Sequence, residues 1–173
     1  AFDLLTVSGS LYLNHRLMTI YEDSVQANQE WADLQNGFTD LGALAQRANA
    51  PGNDVFDSHD VPQERKRSDA ALSEFEKGLV SIQAKLDYNG QGRKYPELNR
   101  CLAQVHSAMH EMSTEAEQIF GYFEKNQPDL AGRRMATMDR KYGLLTTAIG
   151  DASRAVQAIQ ADLFQQQIAN AQD

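Results

Sequence analysis

Apolar residues recur along this chain in alternating steps of three and four, in four separate runs. The first run reads Leu13, Leu17, Ile20, Ser24, Ala27, Trp31, Leu34, Phe38, Leu41, Ala45, Ala48. The second reads Ser68, Leu72, Phe75, Leu79, Ile82, Leu86, and the third Leu98, Leu102, Val105, Met109, Met112, Ala116, Ile119, Phe123. The fourth reads Met135, Met138, Tyr142, Leu145, Ile149, Ala152, Val156, Ile159, Leu163. A period near 3.5 residues is the seam of a helix in a left-handed bundle. No alternation of period two competes over any useful length, so the expected class is all-α.

Proline punctuates the same pattern. Pro51, Pro62, Pro96 and Pro128 fall in or just beside three short polar stretches, 49–60, 89–96 and 126–129. Proline breaks a helix interior but suits a first turn. Asp60 with Gln63 resembles a capping box, and Gly52 suits a helix stop. The chain therefore reads as one domain over 1–173, an antiparallel up-down-up-down four-helix bundle. Its first and last helices are the long ones, expected over roughly 2–49 and 129–172. At 1.5 Å per residue each spans about 65–70 Å, against about 40–45 Å for the middle two. Both ends of the chain then leave from one pole, a geometry that suits continuation into two transmembrane helices.

The first helix carries a second stripe beside its core seam: Leu4, Val7, Leu11, Asn14, Met18, Tyr21, Val25, Asn28, Ala32. A face turned to water does not ordinarily repeat Leu, Val, Leu, Met, Tyr, Val. The expectation is a homodimer in which the same helix of a second chain covers it. Beyond Val25 the stripe turns polar through Gln35, Thr39, Gly42 and Gln46, as a wet cleft between subunits requires.

Composition narrows the function. The formal net charge of −8 argues against nucleic acid, whose phosphates need a basic face. No run of about 20 apolar residues is present that would cross a bilayer. The single cysteine, Cys101, excludes an internal disulfide. His106 and His110 put two imidazoles on one helical face, but zinc needs two further ligands and Glu111 lies off that face. The oxygen ligands at Asn53, Asp54, Asp57 and Asp60 could hold calcium, yet Arg65, Lys66 and Arg67 follow at once and read as a salt-bridged tip. No nucleophile elbow, phosphate loop or haem motif is found. The expectation is a protein without catalysis, resident metal or cofactor.

These features together resemble the four-helix-bundle sensor domain of methyl-accepting chemotaxis proteins, with related domains in sensor histidine kinases and in receptors controlling cyclic dinucleotides. The resemblance is architectural over the whole chain. In sequence it is carried by Leu17, Ile20, Tyr21, Glu22 and Asp23 within RLMTIYEDSV. Family members often have a proline shortly afterwards, where this chain has Val25, Gln26, Ala27, Asn28. The resemblance implies the periplasmic domain of a bacterial inner-membrane protein, a homodimer that senses a small molecule at its membrane-distal half and signals through its first and last helices. The competing readings are a structural or protein-interaction bundle and a metal-binding bundle.

Charge gives the candidate ligand site. Arg47, Arg133, Arg134, Arg140 and Lys141 gather toward one pole. Counting about 11 residues down from each expected distal end sets Arg140 and Tyr142 level with Gln35, Phe38 and Thr39. The expected ligand is a small organic anion held by Arg134 or Arg140, with Gln35, Thr39 and Tyr142 as accessory contacts.

Overall fold

The structure is a computed structural model. It describes the backbone of residues 2–172 and the side chains of that span other than 2–9, 20, 23 and 170–172. Among the described residues the protein is all-helical. Its elements are α1 (Phe2–Ser58), α2 (Val61–Tyr88), α3 (Gln91–Lys94), α4 (Pro96–Glu124) and α5 (Pro128–Gln172). No described helix is long and apolar enough to cross a membrane. The chain divides into two units, Ala1–Asp33 and Leu34–Asp173.

In the second unit the apolar runs are the core. Leu34, Phe38, Leu41 and Ala45 of α1 are buried, as are Phe75, Ile82 and Leu86 of α2. Leu98, Val105, Met109, Met112 and Ile119 of α4 join them, with Met138, Leu145, Ala152 and Val156 of α5. Burying one such side chain contributes about 1.5–3 kcal/mol, so this repeated seam holds the unit together.

Adjacent helices run in opposite senses. Gly37 of α1 faces Ile82 of α2, and Gly78 of α2 faces Leu41. Gln83 bonds Asn99 where α2 ends and α4 begins, and Arg65 meets Glu117 and Glu124 at the other end of that pair. Glu115 of α4 meets Arg134 of α5, and Glu111 meets Lys141. Between α1 and α5, Gln35 bonds Ser153, while Gly52 lies against Met138.

Three helix starts follow the expected signals. Asp60 accepts a hydrogen bond from the Gln63 amide at 3.1 Å, with Pro62 in the first turn of α2. Pro96 and Pro128 each open a helix, where a missing N–H costs nothing. Between α2 and α4 the chain turns through Gly90, whose φ of +66° a side chain would resist. The single-turn α3 occupies part of what the sequence presented as a loop.

The stretch 49–60 is the main correction. It reads as a loop from its proline and glycine, yet α1 continues through Pro51 to Ser58. Proline inside a helix costs about 3 kcal/mol. Here the extra turns bury Pro51, Gly52 and Val55, and Phe56 meets Phe123 of α4 edge-on with ring centroids 5.0 Å apart. Gly52 is not a stop. A Cβ there would stand 2.6 Å from Met138 Sδ, so glycine lets α1 close onto α5. Burial of these residues outweighs the lost backbone bond.

In the first unit the same periodicity has a different fate. Leu13 and Leu17 of the core seam are 59% and 64% exposed, and Tyr12 is 65% exposed. On the outer stripe Leu11, Met18, Tyr21 and Val25 are exposed as well. Leu4 and Val7 of that stripe, and Ile20 and Asp23 of the IYED stretch, lie outside the described side chains.

Candidate functional site

The polar continuation of the outer stripe enters the α1–α5 seam at Gln35. Gln35 is half-buried, and its amide Nε2 donates to Ser153 Oγ. Its Oε1 is buried with no hydrogen-bond partner among the described residues, and the same holds for Asn49 Oδ1 further along α1. A buried unsatisfied group costs about 1–3 kcal/mol, so each of these two oxygens favours an arrangement that brings it a donor. Thr39 is exposed and its hydroxyl donates to the Gln35 carbonyl at 3.1 Å.

The arginines stand elsewhere on α5. Arg134 Nη2 lies 2.9 Å from each oxygen of Glu115, whose residue is only 8% exposed. This pair is built into the α4–α5 contact, and Arg134 Nε is buried without a partner among the described residues. Arg140 is exposed and donates to Thr137 Oγ1 at 2.9 Å. Tyr142 is half-buried.

The expected levelling of Arg140 and Tyr142 with Gln35 and Thr39 is therefore corrected. Ser153, eleven residues beyond Tyr142, stands beside Gln35. Along a helix that interval is about 16 Å. Met138 stands beside Gly52 instead. The physical reason is the continuation of α1 through Pro51: a count from residue 49 starts nine residues short of Ser58, or about 13 Å. Within one chain Gln35 and Thr39 are together, Arg140 and Tyr142 are together within about one turn of Met138, and Arg134 belongs to Glu115.

The other candidate clusters resolve into ion pairs. Asp54 binds Arg67 at 2.9 Å, and Arg67 also holds the buried Glu64. Arg65 bridges Glu117 and Glu124 while lying over the Phe120 ring, 5.5 Å from its centroid. Hydrogen bonding to Arg65 lowers the Glu124 pKa, and the Arg65 pKa is raised by the same contact. His106 Nε2 stands 3.6 Å from Glu76, and both His106 and His110 are exposed. Among the described residues no three His, Cys, Asp or Glu side chains come together as a metal set. Cys101 is half-buried, and burial followed by the nearby Asp151 charge raises its thiol pKa. A raised pKa keeps the thiol protonated and a poor nucleophile.

Sequence reasoning missed one place. Between α1 and α2 lies a groove of about 330 Å3 lined by Leu44, Ala50, Ala70 and Ala71. Arg47, Glu74 and Arg67 stand around it. The available signal was the pairing of small residues on both helices, Ala50 facing Ala70 and Ala71. It becomes legible once α1 is carried past Pro51 and the register with α2 is known.

Compared with family models, curated proteins and solved structures, the chain matches none.

Proposed function

We propose that this chain is the extracytoplasmic small-molecule sensing domain of a bacterial transmembrane receptor, of the chemotaxis or sensor-kinase kind. Its architecture in this reading is an up-down-up-down four-helix bundle of α1, α2, α4 and α5, with α3 as an ornament of one turn. The antiparallel pairing of neighbouring helices supports that arrangement. So do the lengths: 57 and 45 residues for α1 and α5, against 28 and 29 for α2 and α4. The α5 residues beyond Val156 extend past the start of α4 and carry Phe164 and Ile168, 58% and 40% exposed. Two long outer helices are what a periplasmic domain of an inner-membrane protein needs to pass a signal to a membrane.

The observation that carries the reading is the exposed apolar stripe of Leu11, Met18, Tyr21 and Val25. Isolated soluble helices do not present such a face without a partner. A second copy of the same helix covers it in a symmetric homodimer. Ligand sensing is supported by the α1–α5 seam at Gln35, whose amide reaches Ser153 and whose Oε1 is buried with no partner among the described residues. The organic-anion reading now rests on Arg140 and Tyr142, since Arg134 is engaged by Glu115. The same exposed stripe also fits a second reading, a helical bundle that binds another protein and no small molecule.

Sedimentation combined with a thermal-shift screen against a metabolite library separates the two. The receptor reading expects a self-associating domain and at least one small molecule that raises Tm. A chain that stays monomeric at high concentration, and that no metabolite stabilises, leaves the protein-interaction bundle.

A further inference from the structure

The α1–α2 groove has a charge pattern that the seam on the other side of α1 lacks. Its floor is methyl groups: Ala50 on one helix, Ala70 and Ala71 on the other, with Leu44 at the end. Arg47 rises from α1 and Glu74 from α2, and both line the groove. Leu41 meets Gly78 and Asp54 meets Arg67 across the same helix pair, so Arg47 and Glu74 stand at about the same height. They do not pair with each other. Arg47 makes no hydrogen bond or ion pair among the described residues, and Glu74 holds Lys77 of its own helix at 3.3 Å. That pair is exposed, 72% and 57% at the two side chains. Exposed i,i+3 pairs of this kind are weak and easily exchanged. Arg67 is different: Asp54 and Glu64 fix it, so it closes the far end of the groove as a wall.

An unbridged cation and anion facing each other over a small apolar floor define a guest. It carries a carboxylate for the Arg47 fork, an ammonium for Glu74, and a short apolar body between them. We propose that this groove binds a free α-amino acid with a small aliphatic side chain. The guanidinium takes the carboxylate and Glu74 exchanges Lys77 for the ligand's ammonium. The side chain lies on Ala50, Ala70 and Ala71, whose methyl groups offer an apolar surface and no hydrogen-bond partner, which suits an aliphatic side chain over a polar one. The site lies within one chain and needs no second copy. It therefore stands or falls apart from the receptor reading and from the Arg140–Tyr142 position.

The test is amide NMR on the 15N-labelled chain titrated with L-alanine, L-valine and L-leucine. Isovalerate, which lacks the ammonium, and isobutylamine, which lacks the carboxylate, serve as controls. Valine is expected to move the signals of residues 44–50 and 67–74. Each charge-assisted hydrogen bond is worth about 1.5–3 kcal/mol, so both truncated analogues should bind about 10–100-fold more weakly. Arg47→Ala and Glu74→Ala should weaken valine by a similar factor, with unchanged helicity because neither side chain is part of the core. Ala70→Leu, at an exposed position, should block the floor and abolish binding. The proposal is overturned if none of the three amino acids moves those signals, if isovalerate binds as tightly as valine, or if Arg47→Ala leaves valine affinity intact.

Discussion

Two stretches of α1 carry one heptad pattern and meet opposite fates. From Leu34 to Ala48 the seam is 0–3% exposed at Leu34, Phe38, Leu41, Ala45 and Ala48. At Leu13 and Leu17 the same seam positions are 59% and 64% exposed. The residue types do not differ enough to account for this. What differs is the presence of neighbours: α2, α4 and α5 supply facing leucines and methionines to the first stretch. A 3.5 period specifies a helix and the face it will bury, but not that anything is there to bury it against. An apolar seam without a facing seam is a statement about a partner.

The largest expected effect tests that contrast directly. Phe38→Ala removes a fully buried ring and should cost about 3–5 kcal/mol in urea unfolding, while Leu17→Ala should stay within about 0.5 kcal/mol. If Leu17→Ala is as costly as Phe38→Ala, the seam of the first unit is packed in solution and the contrast disappears. Next comes Val25→Asp on the outer stripe. A covered aliphatic side chain is worth about 1.5–3 kcal/mol per copy, so the substitution should shift a dimer toward monomer with helicity retained. Sedimentation velocity reads this out. Unchanged association in Val25→Asp means the stripe is not the dimer surface.

The internal ion pair gives a smaller effect of a different kind. Glu115→Gln leaves Arg134 beside a neutral partner in a largely buried setting. Breaking a fully buried pair costs about 3–5 kcal/mol. Because the Arg134 side chain is 35% exposed, solvent screens it and about 1–2 kcal/mol is expected. Adding Arg134→Met to Glu115→Gln should recover part of the loss, since no unpaired charge then remains. If the double variant is less stable than Glu115→Gln alone, the pair contributes through packing and not through charge.

Much of the fold was legible in the sequence. From Trp31 onward the seams named most of the buried positions, with Leu72, Phe123, Met135, Tyr142, Ile159 and Leu163 as their half-buried margins, while Leu13 and Leu17 of the first seam are exposed. The starts at Val61, Pro96 and Pro128 were readable because Asp60 and the prolines act locally. The end of α1 was not. Pro51 and Gly52 signal a break, and tertiary packing of Val55, Phe56 and Gly52 overrides that signal. That single error displaced the candidate site, because a register counted from a helix end inherits the error in that end. The Gln35–Ser153 contact and the Arg47–Glu74 groove depend on the relative height of two helices, which no run of residues on one helix encodes.

The smallest effects come from two glycines of α1, and they sharpen the comparison between a packed face and an open one. Glycine in a helix costs roughly 0.5–1 kcal/mol relative to alanine, because the unfolded chain has more freedom to lose. At Gly52 alanine regains that amount and loses more: its Cβ meets Met138 Sδ at 2.6 Å and Cε at 2.9 Å, so Met138 must shift inside a filled core. Overpacking of this kind costs about 1–3 kcal/mol, giving a net loss in Gly52→Ala. At Gly42 a Cβ meets nothing within 4 Å. Gly42→Ala should therefore stabilise the chain by about 0.5–1 kcal/mol in urea unfolding at low concentration. Gly42 also lies on the polar continuation of the outer stripe, where a second copy would approach. If a partner helix packs closely there, the added methyl weakens association while the monomer gains stability, and sedimentation and unfolding move in opposite directions. If both are unaffected by a partner, Gly42→Ala raises stability equally at low and high protein concentration, and the dimer surface ends before residue 42.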